Sequence, residues 1–344
     1  MSVPFFRPSV SEQDVAAAVE CLRSGWLTTG PRVKQFEASF AAYVGAKYAV
    51  AVSSCTAALH LALEAAGVAR GDMVLVPTLT FAATAEVVRY FDAVPVFVDS
   101  EARALCMDPE RARATLEAIS AGRPVAGLHP PYGRVVAVIP VHYGGQMADM
   151  SALRALATEY RLALVEDAAH TLPAYFRTGT DAPWCAAGTT GDITCFSFYA
   201  NKCITTGGEG GMAVTDDGER AERMRIMSLH GMSKDAWQRY RAQGAWYYEI
   251  VAPGFKYNMT DLAAALGASQ LGRADVLWRE RCRLAARYGE RLGHRHEIVL
   301  PEESANRRHS WHLFSLRLVP GALGLDRVAF IQELGARGIA ASVH

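Results

Sequence analysis

Short runs of apolar, mostly β-branched residues alternate along much of the chain with longer stretches whose apolar positions recur at helical spacing. The short runs predict strands at 48–52, 73–76, 95–98, 135–141, 162–165, 193–198 and 212–215. Between most of them the spacing predicts helices at 56–66, 82–91, 109–119 and 150–160. Strands alternating with helices imply an α/β fold with a largely parallel sheet. Several of the runs are apolar throughout, as expected for strands covered on both faces. Two further helices, 12–22 and 33–43, come first, joined by a loop at 24–31 that glycine and proline punctuate. After residue 215 the alternation stops. A helix-like stretch to 228 leads into a polar, aromatic-rich segment through 248. A long helical pattern then covers 260–292, followed by a strand at 311–319 and a helix at 326–337. The change near residue 250 predicts a large domain over 1–250 and a smaller C-terminal α+β domain over 251–344.

A length of 344 residues suits that division, and 51% hydrophobic residues can fill a sizeable core. Lys+Arg and Asp+Glu are equal at 35 each, so the net charge gives no reason to expect nucleic acid or an acidic membrane as partner. A local basic pocket for a phosphorylated ligand remains compatible with that balance. The seven cysteines form no C-x-x-C pair and sit mostly among apolar neighbours, as reduced core thiols do. Residues 1–8 contain no apolar signal-peptide core, and the longest apolar stretch, 56–68, holds His60 and Glu64. The expectation is therefore a cytoplasmic protein. Histidines such as His142, His230, His309 and His312 show no metal-ligand spacing, and no metal is expected.

Three places can carry chemistry. In Val52-Ser53-Ser54-Cys55-Thr56-Ala57-Ala58 a strand ends in small residues and a helix begins. Such a turn offers a phosphate its N–H groups and the positive end of the helix dipole; it is equally an ordinary Ser/Thr helix cap. In Glu166-Asp167-Ala168-Ala169-His170 two carboxylates stand at the end of an apolar strand, at the ligand edge of an open α/β sheet. A pyridine nitrogen needs such an acid to stay protonated and act as an electron sink; a cap plus a surface acid is the other reading. In Phe196-Ser197-Phe198-Tyr199-Ala200-Asn201-Lys202 a lysine follows a strand and precedes a glycine-rich turn, 207–211. A lysine between apolar walls becomes a nucleophilic amine, although a surface lysine before a hairpin would look similar. Neither a G-x-x-x-x-G-K-[ST] loop nor a G-x-G-x-x-G turn after the first strand is present.

At these residues the sequence resembles the DegT/DnrJ/EryC1/StrS family of sugar aminotransferases, which are fold-type I pyridoxal-phosphate enzymes. The likeness runs through Ser24-Gly-Trp-Leu-Thr-Thr-Gly-Pro31, the 53–58 turn, Pro77-Thr-Leu-Thr-Phe81, Pro140-Val-His-Tyr-Gly144, Glu166 to His170, the lysine segment and Gly254-Phe-Lys-Tyr-Asn-Met-Thr-Asp261. Within the family it looks most like enzymes that aminate C4 of nucleotide-linked 4-keto sugars, such as UDP-4-amino-4-deoxy-L-arabinose synthase and perosamine synthase. The resemblance implies a mostly parallel seven-stranded sheet between helices. It also implies pyridoxal 5'-phosphate as cofactor, with pyridoxamine 5'-phosphate between two ping-pong half-reactions and L-glutamate as amino donor.

The resemblance further assigns roles. Lys202 matches the lysine that binds the cofactor covalently and then shuttles the proton, and Asp167 the acid paired with the ring nitrogen. Phe81 matches the aromatic stacked on the ring, a plain core residue being its other reading, and His170 falls where the family has His or Gln near the ring hydroxyl. Thr56, Ala57 and Ser197 match phosphate contacts. Asn258 matches a residue that reaches the phosphate of a neighbouring subunit, implying a homodimer with shared active sites. Trp26, Thr28, His230 and Lys256 fall near substrate. Two departures stand out: the chain stops at residue 344, where relatives continue with more of the small domain, and 128–134 looks like a longer surface loop. Within the family, sugar dehydration uses a histidine in place of the lysine, which Lys202 opposes. The likeness is also compatible with a lyase, an inositol-type aminotransferase or a non-catalytic regulator.

Overall fold

The computed structural model describes residues 2–233 and 249–343. Two helices, α1 (Glu12–Ser24) and α2 (Pro31–Val44), precede β1 (Tyr48–Val52), α3 (Cys55–Ala65), β2 (Met73–Pro77), α4 (Ala83–Arg89) and β3 (Val94–Val98). Then come α5 (Pro109–Ser120), β4 (Val135–Val138), α6 (Met150–Tyr160), β5 (Ala163–Asp167), the short β6 (Tyr175–Phe176) and β7 (Cys185–Ala186), β8 (Ile193–Ser197), β9 (Gly211–Thr215) and α7 (Gly218–Ser228). The remainder holds α8 (Asp261–Leu271), α9 (Ala274–Leu292), β10 (Ile298–Val299), β11 (Arg307–Arg308), β12 (Arg317–Leu318) and α10 (Arg327–Ala336).

Seven strands form the central sheet in the order β1-β9-β8-β5-β4-β2-β3. From β3 to β8 the neighbours are parallel, as helical crossovers require. The direct link 198–210 returns β9 antiparallel to β8, and β1 pairs antiparallel to β9. Consequently the ends of β1, β5 and β8 and the start of β9 share one edge. Two apolar layers cover the sheet. Phe36 and Phe40 of α2 lie on one face, with the Phe40 ring 5.0 Å from that of Phe196 and the Phe36 ring 5.4 Å from that of Phe198. On the other face α3 is buried nearly all round through Leu59, Leu61 and Leu63. Among the described residues no helix is long and apolar enough to cross a membrane.

The seven expected strands all form, with ends shifted by a few residues. Three expectations change. The single helix over 260–292 is two, because the chain turns at Gly272–Arg273, a poor helix position, letting α8 lie against α1 and α2. The strand at 311–319 shrinks to β12: Trp311 has φ +54°, outside extended backbone, and its N–H donates to His309 Nδ1 at 2.8 Å. The strand at 135–141 ends at Val138. Most of the polar, aromatic-rich segment to residue 248 lies outside the described residues. Loop 128–134 is irregular, fastened by Tyr132, whose hydroxyl donates to Arg123 O at 3.0 Å.

The seam between α1 and α8 is polar at its centre. Asp14, with no solvent exposure, accepts from Ser269 Oγ at 2.6 Å, Gln270 Nε2 at 2.7 Å and Ser11 N at 2.8 Å. Burial raises its pKa, but these hydrogen bonds outweigh that and leave it below the usual carboxylate value. Its stabilising contribution is thus present above the unfolded value of about 3.9 and is lost as pH falls through the lower folded value. Asp14→Ala is expected to cost about 2–3 kcal/mol at neutral pH, read from urea melts, with the gap to wild type closing under acid conditions.

Candidate active site

Alternation along β5 separates its two acids. Asp167 is 5% exposed; its Oδ2 accepts from Thr84 Oγ1 at 2.7 Å and its Oδ1 from Ala169 N at 3.1 Å. Glu166 turns the other way into a dry network, correcting the expectation that both carboxylates face the ligand edge. It accepts from Thr190 Oγ1 at 2.9 Å, Thr194 Oγ1 at 3.0 Å and His142 Nε2 at 2.7 Å. His142 Nδ1 accepts from Ala148 N at 3.2 Å, which assigns the ring proton to Nε2. Glu166 is therefore a satisfied buried acid, and Asp167 alone stands at the edge.

Lys202 lies in the turn between β8 and β9, its N–H donating to Tyr199 O at 2.8 Å. It is half-buried. Burial pushes its amine below the ordinary lysine pKa, against the opposing pull of Cys55, Asp167 and Cys203. The turn lies beside the end of β5, where the thiol of the next residue, Cys203, approaches His170 O at 3.8 Å. Its partial burial departs from a solvent-exposed lysine before a hairpin. His170, also buried, accepts from Gly144 N at 3.2 Å on Nδ1 and so carries its proton on Nε2. Its ring stands 4.6 Å from that of His312.

The turn before α3 is both a cap and a cluster of N–H groups. Ser54 Oγ accepts from Ala57 N at 3.0 Å, while the Cys55 and Thr56 N–H groups belong to the first turn and have no intrahelical acceptor. The turn is pressed onto Gly211, where a Cβ would come within 2.4 Å of Ser54 C and 2.6 Å of Cys55 N. Gly211 pairs with Val52 on one side and Ser197 on the other, so Ser197 is brought beside the turn. Phe81 precedes α4 and is 70% exposed, so it is not a core residue; it stands three positions before Thr84, the partner of Asp167.

The remaining sequence-derived residues assemble at the other side of β1. Asn258 bridges to Val52, and Ser53 N donates to Tyr257 O at 2.7 Å. Asn258 Nδ2 donates to Thr29 Oγ1 at 2.7 Å and its Oδ1 accepts from Lys256 Nζ at 2.7 Å. Thr28 O accepts from Asp261 N at 3.3 Å, and Trp26 Nε1 donates to Thr29 O at 3.4 Å. The exposed His230, at φ +57°, donates its N–H to Phe255 O at 2.7 Å.

Two further residues organise this side. Asp261, 1% exposed, accepts from Gly30 N at 2.7 Å, Val33 N at 3.0 Å and Arg32 N at 3.1 Å. It caps α2 in place of the side chain Gly30 lacks. His60 of α3 meets Tyr257 OH at 3.0 Å through Nδ1, and its ring stands 4.5 Å from that of Phe255. Burial pushes its pKa down to about 4, so it is neutral at pH 7.

One edge of the sheet thus gathers helix-terminal N–H groups beside a serine hydroxyl, a buried carboxylate, an amine of lowered pKa and an exposed phenyl ring. These groups fit the phosphate, ring nitrogen, carbonyl and ring face of pyridoxal phosphate. Together with the strand order they define the class: a fold-type I enzyme dependent on pyridoxal phosphate. The sequence profile of the DegT/DnrJ/EryC1/StrS aminotransferase family matches residues 8–344. The chain belongs to that family and is a pyridoxal-phosphate-dependent aminotransferase. It is 42% identical over 343 residues to the spore coat polysaccharide biosynthesis protein SpsC of Bacillus subtilis, spanning 99% of this chain and 82% of that one. Among solved structures, Spr1654 of Streptococcus pneumoniae in its PMP-form superposes with a TM-score of 0.86 at 31% identity, covering 100% of this chain and 84% of that one. DesV of S. venezuelae, in complex with a ketimine intermediate, gives a TM-score of 0.80 at 33% identity, covering 98% and 82%.

Proposed function

We propose that this protein transfers the amino group of L-glutamate to a nucleotide-linked keto sugar, at C4, by a ping-pong reaction. The placement of the Lys202 turn on the sheet edge that also holds Asp167 and the α3 terminus carries the reading. The name of SpsC, a polysaccharide biosynthesis protein, supports a sugar acceptor. The nucleotide and the C4 position rest on the sequence resemblance.

Pyridoxal phosphate, when bound, supplies an electron sink for the pair left when a C–H bond next to nitrogen breaks. Lys202 Nζ would hold the cofactor covalently. The same amine would take the donor's Cα proton and, in the second half-reaction, deliver a proton to the carbon of the acceptor. Its lowered pKa keeps a larger share of it unprotonated and ready for this work. The Asp167 carboxylate, fixed by Thr84 and Ala169, keeps a proton on the ring nitrogen. Thr56, Ala57 and Ser197 would hold the phosphate, at a helix terminus whose Ala57 N–H also meets Ser54 Oγ. Phe81 would cover the ring and His170 Nε2–H would serve its hydroxyl.

Trp26, Thr28, His230 and Lys256 form the substrate side. Asn258, its amide oriented by Thr29 and Lys256, reaches the phosphate of a second copy, so the working unit is a homodimer. We place the enzyme in the cytoplasm and divide it into domains at about residue 250.

The test is the visible spectrum of the protein with pyridoxal phosphate before and after L-glutamate. The band of the lysine-bound cofactor is expected to disappear, and a nucleotide-linked 4-keto sugar to restore it while gaining an amino group, read by mass. A band that ignores every amino donor would sink the aminotransfer reading. Restoration by a keto inositol but by no nucleotide-linked sugar would replace the acceptor.

A further inference from the structure

Arg281 of α9 addresses three backbone carbonyls from three separate segments. Its Nε donates to Ser310 O at 2.8 Å, one terminal nitrogen to Leu172 O at 3.0 Å and the other to Cys203 O at 3.3 Å. Each carbonyl lies next to, or two residues from, a group of the site. Cys203 follows Lys202, Leu172 is two residues beyond His170, and Ser310 is two before His312, whose ring contacts that of His170. The segments are also tied to one another. Ser310 Oγ donates to His170 O at 2.6 Å, the Cys203 thiol approaches the same oxygen at 3.8 Å, and Ser310 N donates to Gly145 O at 2.9 Å.

A guanidinium is planar, permanently charged and able only to donate, so three carbonyls can meet it only if their segments keep a fixed spacing. The lysine turn needs such a hold. On its β9 side it is rich in glycine, with Gly207 at φ +95° and Gly208 at φ +146°, which add little stiffness. On the other side the Cys203 carbonyl, one peptide from Lys202, is bound to a charged donor.

We propose that Arg281 is a positioning residue for transamination, setting the Lys202 amine relative to Asp167 and His170 by clamping the carbonyls of Cys203, Leu172 and Ser310. The inference rests on Lys202 being the cofactor-binding lysine. It also makes α9 part of the catalytic apparatus although none of its side chains touches the reacting atoms.

The experiment compares Arg281→Met, which keeps length and loses every donor, with Arg281→Lys, which keeps the charge but not the fork. Both are assayed as holoenzyme in the L-glutamate half-reaction. Arg281→Met is expected to lower the rate at saturating glutamate on the order of 100-fold, as a misplaced catalytic group does, with a much smaller change in KM. Arg281→Lys should fall between it and wild type. In both, the pH midpoint of the lysine-bound cofactor band should move, because a displaced lysine is differently hydrated. A lower melting temperature with wild-type rate and pH midpoint in the folded protein would make Arg281 a structural staple and overturn the proposal. Should Arg281→Met not fold, the same comparison is read from Arg281→Lys. Lys202→Ala, run alongside, separates the two claims: a cofactor band that survives in it refutes the lysine assignment itself.

Discussion

Lys202→Ala is expected to abolish turnover, with a loss of at least about 10⁴-fold, because in the proposed reaction one side chain serves as both covalent anchor and proton carrier. The measurement is a single turnover with L-glutamate followed by absorbance. The variant should still bind the cofactor through the α3 terminus, Ser197 and Asp167, but without the band of the lysine-bound form. Substantial remaining transamination would remove Lys202 from its role. A second readout follows from the lowered pKa, and it needs no cofactor. The unfolded chain holds the lysine proton up to about pH 10.4, whereas the folded chain releases it earlier. Stability of the cofactor-free protein must therefore rise with pH between the folded and unfolded values, where the unfolded state binds the extra proton. Lys202→Met should remove that rise and stabilise the cofactor-free protein at neutral pH. An unchanged stability–pH profile would mean that the amine is solvated and not primed.

The same two residues mark how far the sequence can be read. Lys202 and Asp167 are legible because each follows an apolar strand, and in a doubly wound sheet such positions fall on one edge. The strands themselves are legible because burial on both faces leaves unbroken apolar runs, as in Met73–Pro77. Glu166 is misplaced when its motif is taken as a block; the two-residue period of a strand sends neighbours to opposite faces. The break between α8 and α9 is hidden because Gly272 interrupts no apolar periodicity. The contacts of Thr84, Asp261 and Arg281 are invisible for a different reason. Their partners lie 83, 231 and 78 residues away respectively, and nothing local in a threonine, an aspartate or a helical arginine announces such a contact.

Asp167→Asn is expected to lower the rate of the glutamate half-reaction about 10²–10³-fold, the usual size of losing one preorganised electrostatic group. The substitution keeps the volume and the Ala169 N–H bond to the amide oxygen, while the Thr84 hydroxyl has to turn and accept from the new NH2, and it removes the charge. An amide cannot hold a proton on a pyridine nitrogen, so the electron sink weakens while cofactor binding through the phosphate end persists. The effect should therefore fall on the rate at saturating glutamate and far less on cofactor affinity. Thr84→Val tests the support: it leaves the charge but frees the carboxylate to rotate, and a smaller loss of the same kind is expected. The decisive arm is reconstitution of Asp167→Asn with a cofactor analogue methylated on the ring nitrogen, which carries a permanent positive charge. Recovery of much of the lost rate would show that Asp167 works through the charge of that nitrogen. A variant that stays slow with the analogue, and equally slow as Asp167→Ala, would mean that the carboxylate acts by placing the ring, and the electrostatic part of the mechanism would have to be withdrawn.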